Sequence, residues 1–425
     1  MTLNHQNLNN AGKCIRCGLC MSVCPVYQES LEERDVARGK MALIEGEQNS
    51  FKLKDTLQFK EAISRCLLCG ACAHICPNKV QTNDCIQSMR QRMTATIKEK
   101  ILISSLSTLS SQTLSGQIFR KSSSVFQKCV GKEISEQSGL HLRFPLTSIS
   151  HRKWIPRISS SPFTSQYTLA SNSPKKILYF TGCGANYLFN PTAAALIDIL
   201  QNINQVPIVP DKQMCCGLPF YAAGDHQKAI SLAKKNIDII ENFSPAILLT
   251  TCGSCGAQIH QWKQLLKNDS NYGQRALRIA ALHKDATDFI LESDYFKKMI
   301  PSQSDTIVEN IWYHHPCHMR WGDAQLELPK KLFKPFNQVN VTYSNDQCCG
   351  YGGKFQISHF DLSMKIFHRR VDSFKQGNID RILTSCTGCH LQFLEGLLQN
   401  DMSVSVMHPL DWLNRVVKKR KNITN

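Results

Sequence analysis

The sequence predicts an α+β multidomain protein, in which a mainly helical N-terminal module precedes two tandem α/β domains. Three observations lead to this prediction. The 20 cysteines are unevenly distributed, with nine in residues 1–95, one in residues 96–174 and ten in residues 175–425. The last ten fall into two sets of five that share one register. Strand-like and helix-like segments alternate around both sets, which favours parallel sheets.

Length and composition exclude several classes of protein. A chain of 425 residues is long enough for two or three domains with separate cores. Because no signal sequence and no long apolar stretch is visible, we expect a cytoplasmic protein without a transmembrane helix. Thiols stay reduced in the cytoplasm, so clustered cysteines are expected to bind metal rather than form disulfides.

The charge is strongly basic, with 50 Lys and Arg against 33 Asp and Glu, a formal +17. Just over half of the excess lies in residues 86–160, where twelve basic residues accompany three glutamates. That segment has no nucleic-acid motif, so we expect no nucleic-acid partner. We interpret residues 96–174 as a basic connector. Its helix-like segment 101–119 has three explanations: an interfacial helix on anionic lipid, a cover for an acidic partner subunit, or a solvated linker.

Two copies of one cysteine motif define the N-terminal module, residues 1–95. Each reads Cys-x2-Cys-x2-Cys-x3-Cys-Pro, starting at Cys14 and at Cys66. This spacing is typical of bacterial ferredoxins, in which three cysteines of a run bind one [4Fe–4S] cluster and the fourth binds the other. A pair of four-cysteine zinc sites is the alternative. We therefore assign Cys14, Cys17, Cys20 and Cys76 to a first cluster, and Cys66, Cys69, Cys72 and Cys24 to a second.

The rest of this module is predicted to be helical. The 41 residues between Cys24 and Cys66 contain helix-like segments at 38–45 and 57–64. The whole chain lacks a dinucleotide-binding glycine motif, a P-loop and a nucleophile elbow, so the sequence indicates no site for NAD, ATP or flavin. Two clusters at a fixed separation would conduct electrons between a donor and an acceptor that lie elsewhere.

An internal repeat organises the last part, with domains predicted at residues 175–300 and 301–425. The segments 176–181, 206–209 and 246–251 are predicted strands, and 310–314, 340–343 and 381–385 are their counterparts. Helices are predicted at 191–203, 227–240 and 362–374, and the segments 281–289 and 406–412 are expected to close the two halves. At offsets of 133 or 134 residues, Cys183, Cys215, Cys216, Cys252 and Cys255 recur as Cys317, Cys348, Cys349, Cys386 and Cys389. They follow predicted strands, where such sheets bind ligands.

The spacings Cys-x31-Cys-Cys-x35-Cys-x2-Cys and Cys-x30-Cys-Cys-x36-Cys-x2-Cys resemble the cysteine-rich CCG domain of heterodisulfide reductase. The resemblance implies an unusual non-cubane [4Fe–4S] cluster, in which adjacent thiolates bridge irons. We expect one or two such clusters in addition to the two [4Fe–4S] clusters of the N-terminal module. A redox-active disulfide between adjacent cysteines, a zinc site and a purely structural repeat are the alternatives.

The sequence also predicts the conformation or role of several individual residues near these motifs. Gly217 and Gly350 are expected to take positive φ or to approach the metal closely. Cys85 and Cys129 have no repeat partners and are expected to be ordinary thiols. In the run 314–318, His315 or His318 could donate a proton or a hydrogen bond beside a cluster, although a polar loop after a strand is the simpler interpretation.

Over nearly its full length the chain resembles the iron–sulfur subunit of glycolate oxidase, and the stretches 14–27, 37–41 and 65–72 support this. The resemblance implies an electron-transfer subunit of an oxidoreductase complex, with no catalytic residue of its own assigned. A separate FAD subunit would oxidise a 2-hydroxy acid such as glycolate or lactate. The clusters would then pass electrons to quinone at the inner face of the membrane, through a peripheral contact.

The complete cysteine sets leave the substrate open. Both five-cysteine sets are intact, as in the catalytic subunit of heterodisulfide reductase, so reduction of a disulfide at a CCG cluster is an alternative function. The iron–sulfur subunit of anaerobic glycerol-3-phosphate dehydrogenase has related parts. A non-catalytic scaffold or sensor that holds zinc or one cluster is the alternative from a different class.

Overall fold

The computed structural model describes residues 7–93, 104, 108, 114–133, 139–142, 154–167, 176–294, 296, 307–319, 327–344 and 348–424. Within these ranges no helix combines the length and the apolar character that crossing a bilayer requires. The helix predicted over 101–119 lies mostly outside them.

The N-terminal module is built from short helices and turns, as predicted. Its core contains Leu8, Met41, Ile44, Phe59 and Met89, all at most 2% exposed. The turns are Asn10–Lys13, Glu33–Asp35 and Glu47–Phe51. The helices are α1 (Cys20–Val23), α2 (Tyr27–Ser30), α3 (Ala37–Gly46), α4 (Leu57–Ser64), α5 (Ala71–His74) and α6 (Thr82–Arg92).

The connector contributes one long helix and a small antiparallel sheet. The helix, α7 (Leu114–Val130), precedes strands β1 (Gly131–Glu133), β2 (Gly139–Leu142) and β3 (Trp154–Pro156), which pair in chain order. A short helix, α8 (Phe163–Gln166), leads into the first α/β domain.

The first α/β domain has a parallel sheet in the order β4–β5–β6. One additional parallel bridge joins Leu178 to Ile208, so the strand predicted at 206–209 forms only a single bridge. The strands are β4 (Ile177–Phe180), β5 (Ile247–Thr250) and β6 (His283–Asp285). The helices are α9 (Gly182–Tyr187), α10 (Asn190–Asn202), α11 (Leu218–Ala223), α12 (His226–Glu241), α13 (Gly253–Leu265), α14 (Gly273–Leu282) and α15 (Ala286–Glu292).

The second α/β domain repeats this arrangement with a full fourth strand, in the parallel order β10–β9–β7–β8. The strands are β7 (Glu309–His314), β8 (Val339–Tyr343), β9 (Arg381–Thr384) and β10 (Ser405–Met407). A 3₁₀ turn at Cys317–Met319 stands where the first domain has α9. The helices are α16 (Glu327–Phe333), α17 (Lys354–Ser358), α18 (Phe360–His368), α19 (Val371–Gln376), α20 (Thr387–Gln399) and α21 (Pro409–Thr424).

The predicted fold class is confirmed, and a second local difference from the prediction concerns one helix. The helix expected over 362–374 is divided into α18 and α19 around Arg369 and Arg370. The buried Arg370 guanidinium donates hydrogen bonds to the carbonyl oxygens of Ile366 and Cys348. One of these carbonyls lies beside the adjacent cysteines, so the break in the helix serves the cysteine site.

The three parts pack against one another. One apolar core contains residues of both α/β domains, among them Phe180, Trp262 and Phe393. The N-terminal module is held to both of them. The Arg90 guanidinium donates hydrogen bonds to the carbonyls of Cys66 at 2.7 Å and of Ala222 in the first domain at 2.8 Å. On the second domain, Arg369 pairs with the Glu29 carboxylate of the module. The cysteine motifs of all three parts therefore lie in one packed unit.

Candidate metal centres

The first candidate site is a cavity in the N-terminal module. It is lined by five cysteines from both copies of the motif, Cys14, Cys17, Cys20, Cys72 and Cys76, and by Arg16 and Arg38. Cys72 also lines the second cavity, so four thiols belong to this cavity alone. Four thiols are the donor set that a [4Fe–4S] cluster takes, and nearby cations compensate the negative charge of such a cluster.

The second candidate site is a similar cavity in the same module. Its thiols are Cys24, Cys66, Cys69 and Cys72, again from both copies of the motif. Lys40 lines this cavity with only 2% of its surface exposed, and its ammonium lies 3.7 Å from the Asp35 carboxylate. Burial raises the pKa of Cys24 to about 11, so metal binding there would have to displace a proton.

The two loops that enclose these cavities share an unusual backbone conformation. Arg16 and Leu68 occupy equivalent positions two residues after the first cysteine of each motif, and their φ angles are 58° and 55°. Positive φ is uncommon for residues other than glycine. The same conformation occurs at the same position of both motifs, so it is a shared feature of how the two loops fold around their thiols.

The ten cysteines of the α/β domains lie at the carboxyl ends of the parallel strands. Cys252 is the N-cap of α13 and Cys386 is the N-cap of α20, and both have extended backbones with φ of −136° and −138°. The N-terminus of a helix presents N–H groups and a partial positive charge, which stabilise a thiolate. The two C-x2-C motifs therefore present their thiolates in the same way.

The adjacent cysteines precede a glycine that takes positive φ in both domains, as the sequence predicted. Gly217 has φ of 98° and Gly350 has φ of 94°. A Cβ atom at position 350 would lie 3.0 Å from the Ser363 carbonyl oxygen, so a larger residue would also collide. This turn lets two successive side chains reach one site, which neighbours on a regular strand could not do.

A continuous line of thiol contacts connects the two α/β sites. Each thiol forms a side-chain hydrogen-bonding contact with the next, and the line crosses between the domains from Cys252 to Cys386. Its members, in order, are Cys183, Cys215, Cys216, Cys255, Cys252, Cys386, Cys389, Cys349 and Cys348. Ser254 also contacts the thiols where the line passes between the domains, since its hydroxyl lies 3.1 Å from the Cys386 sulfur.

The same line continues into the N-terminal module. Cys348 contacts both Cys317 of its own domain and Cys69 of the second cavity. Hydrogen bonds from these thiols and from Cys349 hold the pKa of Cys348 well below its usual range. Cys24 and Cys69 also pack against the apolar cluster that contains Cys317 and Cys348. The second cavity and the second α/β site are thus direct neighbours.

Two family models match the chain in this arrangement. The model described as "4Fe-4S dicluster domain" matches residues 10–80, and the model described as "Cysteine-rich domain", abbreviated CCG, matches residues 177–260 and 311–394. The family models thus identify one dicluster domain and two cysteine-rich domains in the chain. The two α/β domains are its CCG domains, and their cysteine sites are called the first and second CCG sites.

Several known proteins match the chain over more than half of its length. It is 26% identical to the probable glycolate oxidase iron-sulfur subunit of Bacillus subtilis (strain 168), over 94% of this chain and 92% of that protein. It is 24% identical to the glycolate oxidase iron-sulfur subunit of Escherichia coli (strain K12), over 96% and 94%. It is also 24% identical to lactate utilization protein A 1 of Bacillus anthracis (strain CDC 684 / NRRL 3495), over 57% of this chain and all of that protein.

The histidines of the run 314–318, at the end of β7 and just after it, lie close to thiols of the second CCG site and do not form an exposed polar loop. His314 and His315 are buried, at 0% and 5% exposure. The Nδ1 atom of His318 lies 2.8 Å from the Ser254 hydroxyl, the same hydroxyl that contacts Cys386. Sequence reasoning considered His315 and His318 but missed His314, which has a ring nitrogen within 4.8 Å of two thiols of the site. Comparison of the two repeats could have identified His314, because the equivalent position of the first domain holds an apolar residue, Phe180.

The remaining cysteines lie outside these sites or outside the described side chains. Cys85 is fully buried in the core of the N-terminal module, and its thiol donates a hydrogen bond to the Asn7 carbonyl oxygen at 3.1 Å. The side chain of Cys129 is outside the described part. None of the 19 described cysteines forms a disulfide.

Proposed function

We propose that this chain is the electron-transfer subunit of a flavin-dependent 2-hydroxy-acid dehydrogenase, acting on glycolate or lactate. A separate FAD subunit would oxidise the substrate, and this chain would carry the electrons towards quinone. The observation that carries the proposal is the continuous line of thiols from the N-terminal module through both CCG sites. The names of the full-length relatives support a role as the iron–sulfur subunit of such an oxidase.

The proposed ligand sets follow the four groups of thiols. Cys14, Cys17, Cys20 and Cys76 would hold the first [4Fe–4S] cluster, and Cys66, Cys69, Cys72 and Cys24 the second. The five cysteines from Cys183 to Cys255 would hold a cluster in the first CCG site, and the five from Cys317 to Cys389 a cluster in the second. Clusters bound there would accept and release one electron at a time. The contact between Cys69 and Cys348 supports the order first cluster, second cluster, second CCG site, first CCG site.

Each end of the proposed path holds the most accessible described cysteine of its part of the chain. Cys17 is exposed, and the exposed apolar side chains of Ile15 and Leu19 flank it. Cys183 is half-buried, whereas the other nine cysteines of the CCG domains are buried. An electron carrier needs access for a partner at each end and a protected path between them. We propose that the flavin subunit docks beside Cys17 and that electrons leave near Cys183.

The number of electrons and protons in the reaction is consistent with one-electron carriers. Conversion of a 2-hydroxy acid to the 2-oxo acid removes two electrons and two protons, which the FAD of the partner would take up. The two electrons would pass through this chain in succession, and the protons would leave the flavin into solvent. A quinone at the far end would take up two electrons and two protons to form the quinol.

The helix α7 supports a membrane contact at the exit end. The Arg120 guanidinium of α7 lies 4.7 Å from the ring centre of Tyr187, in the helix that carries Cys183. Gly116, Arg120 and Gln127 of α7 are buried, whereas Ile118, Phe119, Val125 and Phe126 are 37–64% exposed. The exposed apolar residues recur at helical spacing on one face. With the basic charge of the connector, this face suits an anionic lipid surface, on which the protein would lie peripherally.

The membrane contact predicts a loss of vesicle binding in the double variant Ile118→Ser, Phe126→Ser. The two substitutions remove apolar burial worth roughly 2 kcal/mol, so binding to vesicles that contain phosphatidylglycerol is expected to fall about 30-fold. Flotation of the protein with vesicles measures it. Leu57→Ser, which changes an 81% exposed leucine of the N-terminal module, is the control and should bind normally. Equal binding by all three proteins, or binding only in the presence of the flavin subunit, would contradict a lipid contact.

Anaerobic co-purification from the native host tests the proposed function. We expect a brown complex with an FAD protein that reduces a quinone analogue with glycolate or lactate, together with iron–sulfur EPR signals. A colourless protein with zinc and negligible iron would refute the iron–sulfur assignment. An iron-loaded complex that instead oxidises glycerol 3-phosphate would refute the substrate assignment alone.

Reduction of a disulfide is the second candidate function. It is favoured by the two complete CCG sites and by their contact between Cys252 and Cys386, which would let two one-electron centres act on one disulfide. Cleavage of a disulfide to two thiols requires two electrons and two protons. If the purified complex contains a cytochrome b in place of an FAD subunit, and reduces a disulfide but no quinone, this function replaces the first.

A further inference from the structure

The two CCG sites differ in one residue that ends the first strand of each domain. Phe180 is the last residue of β4, and His314 is the last residue of β7. Both precede the first cysteine of their set by three residues, so they occupy equivalent places in the repeat. The first site therefore has an apolar ring where the second has an imidazole.

The His314 ring is directed at the thiols of the second site. A ring nitrogen of His314 and the sulfur atoms of Cys349 and Cys389 all lie within 4.8 Å of one another. His314 is fully buried, and the edge of its ring packs against Phe393 with the ring centres 5.0 Å apart. In the first site Phe180 packs edge-on against Trp262 instead, with ring centres 6.3 Å apart. The surroundings hold the imidazole in place beside the two thiols.

We propose that a ring nitrogen of His314 is an iron ligand of the second CCG site. Two thiolates and one imidazole at these separations form a donor set that suits iron, and imidazole replaces thiolate in some known iron–sulfur centres. The second site is then a cysteine–histidine site, whereas the first site binds through cysteine alone. This inference rests on the proposed iron–sulfur occupancy.

The proposal gives the two sites different electronic properties. A neutral imidazole adds no negative charge to a cluster, unlike a thiolate, and the net charge and the ligands of a cluster set its reduction potential. The two CCG sites are therefore expected to differ in reduction potential. The second CCG site also lies next to Cys69, so it is the CCG site that an electron from the N-terminal module reaches first.

The other histidine of the site supplies a matched control. Nδ1 of His318 is engaged by the Ser254 hydroxyl at 2.8 Å. His318 therefore sits at the junction of the two sites rather than with the thiols of Cys349 and Cys389. A change at His318 perturbs the surroundings of the cluster without removing the proposed ligand.

Pulsed EPR on anaerobically prepared full-length protein tests the ligand. Histidine labelled with ¹⁵N in the ring only is incorporated, so that backbone nitrogens do not contribute. The signal of the second CCG site is identified by its loss in Cys349→Ser. We expect a strong imidazole ¹⁵N coupling on this signal in the wild type and in His318→Gln, and no such coupling in His314→Phe, which copies the first repeat. The reduction potential of the site should change more in His314→Phe than in His318→Gln.

Each other outcome overturns the proposal. If the wild-type signal shows no imidazole coupling, or only the weak coupling of a hydrogen bond, His314 is not a ligand even though iron–sulfur clusters are present. If the coupling survives in His314→Phe or disappears in His318→Gln, another histidine is responsible. If His314→Phe does not retain iron at this site, His314→Cys should restore the iron without the coupling, and failure of that rescue refutes a ligand role. Absence of every iron–sulfur signal would instead refute the proposed function.

Discussion

Replacement of Cys349 by serine is expected to abolish electron transfer through the chain while both [4Fe–4S] signals of the N-terminal module remain. Cys349 contacts Cys348 and Cys389, so it lies in the middle of the second CCG site and of the thiol line. Loss of one thiolate there would interrupt the path between Cys69 and the first CCG site. We expect turnover with quinone to fall by on the order of 100-fold or more, since even residues that only support metal ligands cost 10–100-fold.

The matched control for this variant is Cys85→Ser. Cys85 is also a buried cysteine and undergoes the same change of sulfur to oxygen, but its thiol bonds only to the Asn7 carbonyl oxygen in the core of the N-terminal module. We expect its turnover and EPR signals to match the wild type. Turnover of Cys349→Ser at the wild-type rate would mean that electrons bypass the second CCG site and that the second repeat is only structural.

The second large effect concerns the exchange of the fourth cysteine between the motifs. Cys76→Ser is expected to remove the same [4Fe–4S] signal as Cys20→Ser, although the two positions belong to different motifs. Conversely, Cys24→Ser should remove the signal that Cys66→Ser removes. The physical reason is that the second cavity is lined by three thiols of one motif and the last thiol of the other, and that the thiols lining only the first cavity are Cys14, Cys17, Cys20 and Cys76. EPR spectra of the four reduced variants, recorded at equal protein concentration, measure the effect.

The four variants control one another. All of them change one cysteine to serine, so a general loss of stability would affect both signals in every variant. If Cys76→Ser and Cys66→Ser instead remove the same signal, each motif binds its own cluster and the exchange is wrong. If both signals persist in all four variants, these thiols are not iron ligands.

Much of the fold followed from periodicity and repetition. The strands predicted at 176–181 and 246–251 appear as β4 and β5, because a short β-rich run next to a helical segment is buried wherever parallel strands pair. The strand predicted at 206–209 is reduced to one bridge at Ile208, while its counterpart β8 is complete. Local pattern did not distinguish these two, since strand length depends on the partner that each segment finds.

The sequence by itself determined the identity of the thiols, their grouping into two motifs and two sets, and the turns at Gly217 and Gly350. Metal-ligand spacing and backbone sterics are local properties, so the order of residues is enough to reveal them. Only the tertiary structure decided that Cys69 meets Cys348, that Cys252 meets Cys386 and that His314 reaches two thiols. Those contacts join residues far apart in the chain, and the packing of three parts into one unit, rather than any local pattern, brings them together.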